Sequence, residues 1–261
     1  MEPVYWIDNF SISVLFGLTV IIAFGAIMLG QFLGTRMKAR AGNMDPIGSV
    51  VGATLGFLAF LLAFTFNMAA NRFDNRKNLM VDELNAIETT YRRAGLLLEP
   101  KASEIRALLQ EYVDLRVSIA QDPSRISQAI IRSSDIQEQL WAEMENLSKE
   151  QPLTLKHSLY IQSLNQLMDL HEKRVIVGLH FRIPGAIWTG LYMLAVLAMM
   201  VVGYQFGQSK HRQILVSVIL AIAFSSVIVL IADLDRSTSG SITVNHQPLV
   251  EFQQKLKHYA E

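Results

Sequence analysis

The sequence predicts an all-α integral membrane protein: four transmembrane helices in two hairpins, with an extramembrane helical bundle inserted between them. Three observations carry this. The chain is 51% hydrophobic with a mean hydropathy of +0.29, yet 18% of its 261 residues are charged. That balance is too apolar for an ordinary soluble domain and too charged for a protein made only of spans. Four charge-free runs, residues 9–35, 46–71, 183–209 and 213–232, match the roughly 20 residues that cross a bilayer as helix. A long polar stretch separates the second run from the third and is rich in Leu, Ile, Ala, Glu, Gln and Arg, all good helix formers.

The first hairpin occupies residues 1–71, with spans at about residues 11–33 and 47–70. Its opening residues MEPVYWIDNF lack the basic start of a cleaved signal, and the apolar run after them is too long for one, so it reads as a retained span. The extramembrane domain covers residues 72–182. Breaks are predicted at Glu99-Pro100, Asp122-Pro123 and Gln151-Pro152, because the residue before proline is pushed out of the helical region. Between the breaks, apolar residues recur three and four apart. These are Leu84, Ile87, Tyr91 and Ala94; Ile105, Leu108, Leu109, Tyr112 and Leu115; and, more weakly, Leu155, Leu159, Gln162, Gln166 and Met168. A bundle of about four helices follows. The second hairpin is residues 183–233, with spans at about residues 184–206 and 213–232, and residues 234–261 form a C-terminal tail.

Several functions are excluded or unsupported. Formal net charge is zero, so no basic excess points to nucleic acid. There is no Cys, which removes thiol catalysis, thiolate zinc sites and disulfides. The six His residues are dispersed without metal-ligand spacing, and no phosphate-binding or nucleophile motif occurs. No catalytic cluster, cofactor site or metal site is visible; an enzyme acting on membrane lipid has no polar residues to carry it. His171-Glu172, Glu83, Glu88 and Glu104 read as solvated helix faces. Trp6, Trp188 and Tyr192 sit near span ends, where aromatic belts occur.

The second span carries the chemistry. At 100° per residue, Ala53, Phe57, Phe60, Phe64, Asn67, Asn71, Asn75 and Asn78 fall within an arc of about 80°. One reading is that Phe faces lipid or the bundle core and Asn then emerges into water. The other is a pore, with symmetric copies of the helix around an axis. Phe rings would then form a constriction that gates by dewetting, and uncharged Asn amides would line a vestibule. Amide NH₂ groups suit anions, and Arg72, Arg76 and Lys77 follow at once, either as a positive potential or as ordinary membrane-end anchors. Beside the stripe, Gly48, Gly52 and Gly56 form a GxxxGxxxG, which predicts tight helix packing. Asp233 and Asp235 oppose the dipole at the end of the fourth span, so a partner is expected, with Arg72 and Arg76 as candidates; a cation site there is a thinner alternative.

The stretch LLAFTFNMAANRFDNRKNL, residues 61–79, resembles the bestrophin family, whose second membrane helix runs from an apolar neck into a basic–aromatic pair. Arg72-Phe73 matches that pair. Counting back, Phe60 and Phe64 fall on two of three neck positions, and Gly56 holds the third in place of a bulky residue. The chain as a whole is similar to the bacterial bestrophin-like domain proteins, a family of unknown function. It shares their Arg72-Phe73-Asp74, Leu98-Glu99-Pro100 and Leu234-Asp235-Arg236. The likeness extends from Gly48 to Leu249. It implies a homo-oligomer, pentameric in that family, in a bacterial inner membrane, passing inorganic anions. In calcium-gated bestrophins this segment carries a Pro-Phe-Gly followed by an acidic run that binds Ca²⁺; the matching residues here are Ser237-Thr238-Ser239-Gly240 and then Ser241-Ile242-Thr243-Val244, without the acidic run. A non-conducting membrane-anchored sensor or interaction module is the alternative function. Sidedness is predicted two ways. Arg36, Lys38 and Arg40, with Lys210 and Arg212, place the short loops in the cytoplasm and the helical domain outside; the resemblance implies a cytoplasmic domain.

Overall fold

The computed structural model describes residues 10–38, 47–150, 152, 154–179, 181–209, 213–236 and 240–259. Trp6, Arg40, Lys210, Arg212 and Ser237 to Ser239 lie outside them. The described residues form helices and no strands: α1 (Ile12–Lys38), α2 (Gly48–Ala94), α3 (Lys101–Gln121), α4 (Ile126–Glu150), α5 (Leu155–Leu179), α6 (Gly185–Gln208), α7 (Ile214–Asp235) and α8 (Gln247–His258). Four of them, α1, α2, α6 and α7, are long and apolar enough to cross a membrane. The chain divides into two compact units. One holds residues 1–73 and 182–243, the other residues 74–181 and 244–261. The residues after 244, read from the sequence as a tail, fold as α8 within the second unit.

In the first unit, α1 and α6 meet backbone to backbone. A Cβ at Gly30 would collide with the Met200 carbonyl, and one at Gly34 with the Tyr204 carbonyl. From the other side, Gly203 abuts the Ile27 carbonyl and Gly207 the Gln31 carbonyl. Each helix thus contributes a GxxxG, and with no side chains between them the helices gain van der Waals contact along several turns. Gly52 and Gly56 have open space where a Cβ would go, and Gly48 meets only the Gln205 side chain at ordinary contact distance. The tight packing expected at these three glycines therefore lies elsewhere within the protomer. Leu58, Leu62, Thr65 and Ala69 bury the inner face of α2, at the three-and-four spacing of an amphipathic helix. Trp188 is only 2% exposed, packed near Tyr192 with ring centroids 6.3 Å apart. It is a core residue and not part of a lipid-facing belt.

The second unit is a helical bundle with breaks at the three prolines. Glu99 Oε2 accepts from the Ser103 hydroxyl (2.7 Å) and from its amide (3.2 Å), which the Pro100 carbonyl shares at 3.1 Å, at the start of α3. Asp122 Oδ1 accepts from the Ser124 amide at 3.1 Å, turning the chain into α4. Ile87, Tyr91, Ile105, Leu109, Ile136, Leu140, Leu164 and Leu167 form the core. On α5 the buried row is Tyr160, Leu164, Leu167 and His171, whereas Leu155, Gln162 and Gln166 are exposed. The weak pattern read from the sequence was set one position off that face. Helix α8 buries Leu249, Phe252 and Leu256. Lys255 pairs with Glu88 of α2 at 2.8 Å, and Gln253 donates to Asp114 of α3 at 2.6 Å.

Candidate functional site: the outer face of the second helix

Helix α2 has 47 residues. At about 1.5 Å per residue it is roughly 70 Å long, more than twice a hydrocarbon core of about 30 Å. No Pro interrupts it and no Gly follows Gly56 until Gly95, so its hydrogen-bond ladder runs unbroken from the apolar into the charged part. Every residue of the predicted stripe is exposed: Ala53, Phe57, Phe60, Phe64, Asn67, Asn71, Asn75 and Asn78. Phe57, Phe60 and Phe64 are 58%, 66% and 54% exposed. Gly56 is exposed beside them. The inner face, from Leu58 to Ala69, lies on the opposite side, so one helix presents a buried stripe and a free aromatic–amide stripe.

The basic residues after the span do not share the free stripe. At 100° per residue, Arg72, Lys77 and Arg76 lie about 100°, 120° and 140° from its centre. Arg72 and Arg76 are half-buried, and Lys77 is exposed. The Arg72 Nη1 is buried without a hydrogen-bond partner among the described residues.

Asp233 and Asp235, at the end of α7, are 4% and 1% exposed. Asp235 takes a partner that the sequence did not suggest. Arg182 Nε donates to its Oδ2 at 3.2 Å, and the Ile183 amide donates to its Oδ1 at 3.0 Å. It thereby ties the entry to α6 to the exit of α7. Asp233 Oδ1 accepts from the Ser241 amide at 2.8 Å. Arg236 donates from Nη2 to the Phe10 carbonyl at 2.7 Å. These contacts are structural, and backbone donors supply the dipole compensation that carboxylates at a helix end require.

One cluster was missed altogether. Glu83, read from the sequence as surface, is 2% exposed in the second unit. The Tyr112 hydroxyl donates to its Oε1 at 2.5 Å, Arg116 Nη2 reaches its Oε2 at 3.2 Å, and Arg174 Nε reaches it at 3.0 Å. Burial pushes the carboxyl up, but the Arg174 and Arg116 guanidiniums and the Tyr112 hydroxyl overcome it and hold Glu83 at about 2. The Tyr112 oxygen also lies 2.8 Å from His171 Nδ1, which Arg174 Nη2 approaches at 3.3 Å. Burial, then the Arg174 guanidinium, hold His171 neutral, at about 4. The signal was present: Glu83 falls four residues from both Leu79 and Ile87, on the buried row of α2. His171 likewise follows Leu164 and Leu167 at helical spacing. Among the described residues no group of three or more His, Cys, Asp or Glu gathers to hold a metal.

The family model of the Bestrophin-like domain matches residues 17–249. The chain belongs to the Bestrophin-like domain family. Its fold is similar to the crystal structure of a bacterial bestrophin homologue from Klebsiella pneumoniae, with a TM-score of 0.67 at 17% identity over 95% of this chain and 96% of that one. A variant of the same homologue gives a TM-score of 0.68 at 16% identity, over 92% of this chain and 94% of that one. No curated protein matches. This Bestrophin-like domain protein is therefore a multi-pass, all-helical membrane protein with a bestrophin fold.

Proposed function

We propose that this Bestrophin-like domain protein assembles as a homo-oligomeric ion channel with the outer face of α2 around the axis. The observation that carries it is the unpartnered stripe. Three Phe rings, at Phe57, Phe60 and Phe64, lie exposed on one side of a membrane helix that buries Leu58, Leu62, Thr65 and Ala69 on the other. Phe60 and Phe64, with Gly56 at a wider ring, form the neck, which opens and closes by wetting. Ala53 and Phe57 line one side of it, and Asn67 and Asn71 line the other. The neck carries no fixed charge and so acts on hydration rather than on sign. The resemblance implies anions; Asn amides, with both donor and acceptor, serve either sign. Pentameric assembly is what the family likeness supports, and surrounding lipid is the remaining partner. One feature favours the non-conducting alternative, a sensor or interaction module: Gly56 leaves the third neck ring without a bulky side chain.

The chain contains no Cys, so single cysteines can be introduced into an otherwise thiol-free background. Phe64→Cys, Asn67→Cys and Asn71→Cys are expected to make liposome ion flux sensitive to a charged, water-soluble thiol reagent. Ile219→Cys, on the exposed surface of α7, is the control and stays insensitive. Equal insensitivity of all four, with flux present, means that another element lines the path.

A further inference from the structure

We infer that the groove between α4 and α5 binds a linear aliphatic polyamine, held toward its ends by Glu138 and Glu145 and along its chain by Trp141. The inference concerns the helical unit alone and does not depend on conduction.

The groove is a cavity of about 510 Å³ lined by Glu138, Trp141, Ala142 and Glu145 of α4 and by Asn165 and Met168 of α5. That volume is usual for a small-ligand site. The four α4 residues follow one another at helical spacing and share one face. Glu138 and Glu145 are two turns apart, a rise of about 10 Å, and nearly in line along the helix. Trp141 lies between them. The bundle core takes Ile136, Leu140, Met144 and Leu147 from the other side of α4, while Trp141 stays exposed. A large aromatic ring is thus left in a surface groove between two carboxylates.

Both glutamates are exposed, and neither is in a hydrogen bond or ion pair among the described residues. The ion pairs of α4 are made on its opposite face, by Arg132 with Glu111 and by Glu143 with Lys101. Around the groove, exposed Asp135, Asp169 and Glu172 add negative charge. Exposed Lys149, Lys156 and Lys173 lie outside the lined stretch of either helix. The lining itself carries two carboxylates and no cation, so its complement is positive.

The spacing selects the shape of that cation. A metal ion needs oxygens converging at about 2–2.6 Å, and no group of three or more His, Cys, Asp or Glu gathers among the described residues. Carboxylates two turns apart suit an elongated cation, with one ammonium donating to each. The methylenes between them cross the indole of Trp141, the aromatic that attracts cations best. Met168 adapts to the apolar chain, and the Asn165 amide oxygen accepts from an internal ammonium.

The test is isothermal titration calorimetry of the full-length protein in detergent with spermidine, at neutral pH and physiological salt. Wild type is expected to bind saturably at a single site per chain. Glu138→Gln with Glu145→Gln is expected to weaken binding about tenfold. Trp141→Leu is expected to weaken it about threefold, with Trp141→Phe recovering part of the loss. These side chains are exposed, so the variants are expected to keep the fold; circular dichroism and size-exclusion elution identical to wild type check this. Mg²⁺ at equal concentration is expected to leave spermidine bound. Displacement by Mg²⁺ reduces the effect to counter-ion attraction and overturns the inference. No saturable heat from wild type, or binding unchanged in the double variant, overturns it as well. A lysine-rich peptide that binds at these residues when spermidine does not makes the groove a protein-docking surface and also overturns it.

Discussion

Tyr112 donates its hydroxyl proton to Glu83 across 2.5 Å in the interior of the helical unit. That bond, with Arg116 and Arg174 on the same carboxylate, fixes α2 to α3 and α5 by charge as well as by packing. Removing one partner of a buried pair costs about 3–5 kcal/mol, because the charges left behind are uncompensated. Glu83→Gln strands two guanidiniums and is expected to lower the thermal midpoint of the purified protein strongly. Tyr112→Phe leaves the ion pairs and is expected to cost about 1–3 kcal/mol. Thermal unfolding followed by circular dichroism ranks the two; equal effects would contradict the assignment of Glu83 as the hub.

Acid weakens the same cluster in two steps. His171 is held at about 4, below its ordinary 6.5, so between those values the unfolded chain binds a proton that the folded chain refuses. Stability then falls as pH drops. Glu83, at about 2 against 4.5, adds a second loss below pH 4.5 with the same sign. The melting temperature is expected to be flat above about pH 6.5 and to decline below it. His171→Gln removes its share of the first step and makes the decline below pH 6.5 shallower. It leaves the part due to His246, whose imidazole burial and Arg116 also hold below its ordinary value. A decline in that variant as steep as in wild type would assign the acid sensitivity to another group.

The α1–α6 contact tolerates no side chain. Gly203→Leu drives a branched side chain into the Ile27 carbonyl, and overpacking of this kind costs about 1–3 kcal/mol or more. Folded yield in detergent is expected to drop sharply. Gly52→Ala, which meets open space within the protomer, is expected to leave folded yield unchanged. Comparable losses from both would put the close helix contact at the wrong glycines.

Asp235→Ala leaves Arg182, itself 8% exposed, without the carboxylate that receives its Nε, and the Ile183 amide without an acceptor. A loss of about 3–5 kcal/mol is expected, visible as a lower thermal midpoint. Asp235→Asn keeps an acceptor for Ile183 and is expected to lose less. An alanine variant as stable as wild type would mean that the pair contributes nothing.

Much of this architecture is legible in the sequence because bilayer thickness and proline sterics act locally. Runs of about 20 apolar residues mark the spans, and Pro100, Pro123 and Pro152 mark the breaks. The free stripe of α2 is legible too, since Phe57, Phe60, Phe64, Asn67 and Asn71 keep helical spacing. What failed was the assignment of faces by residue type. Glu83 and His171 look like solvated residues by chemistry, but they sit on the buried rows of α2 and α5, where Arg116, Arg174 and Tyr112 arrive from more distant sequence. The glycine contact failed for a related reason. A GxxxG states that a close approach is sterically open; only the partner helix decides which one is used. Gly30 and Gly34 find Gly203 and Gly207, whereas Gly52 and Gly56 meet no close neighbour among the described residues.

The central claim is that Phe60 and Phe64 constrict an ion path. Ion flux from liposomes containing the purified protein, wild type against the Phe60→Ala, Phe64→Ala double variant, tests it most directly. Both side chains are exposed in the protomer, so the fold is expected to survive their removal. The account predicts faster flux in the double variant, as the dewetted neck widens. Flux unchanged from wild type, or absent from both in a confirmed oligomer, would contradict it.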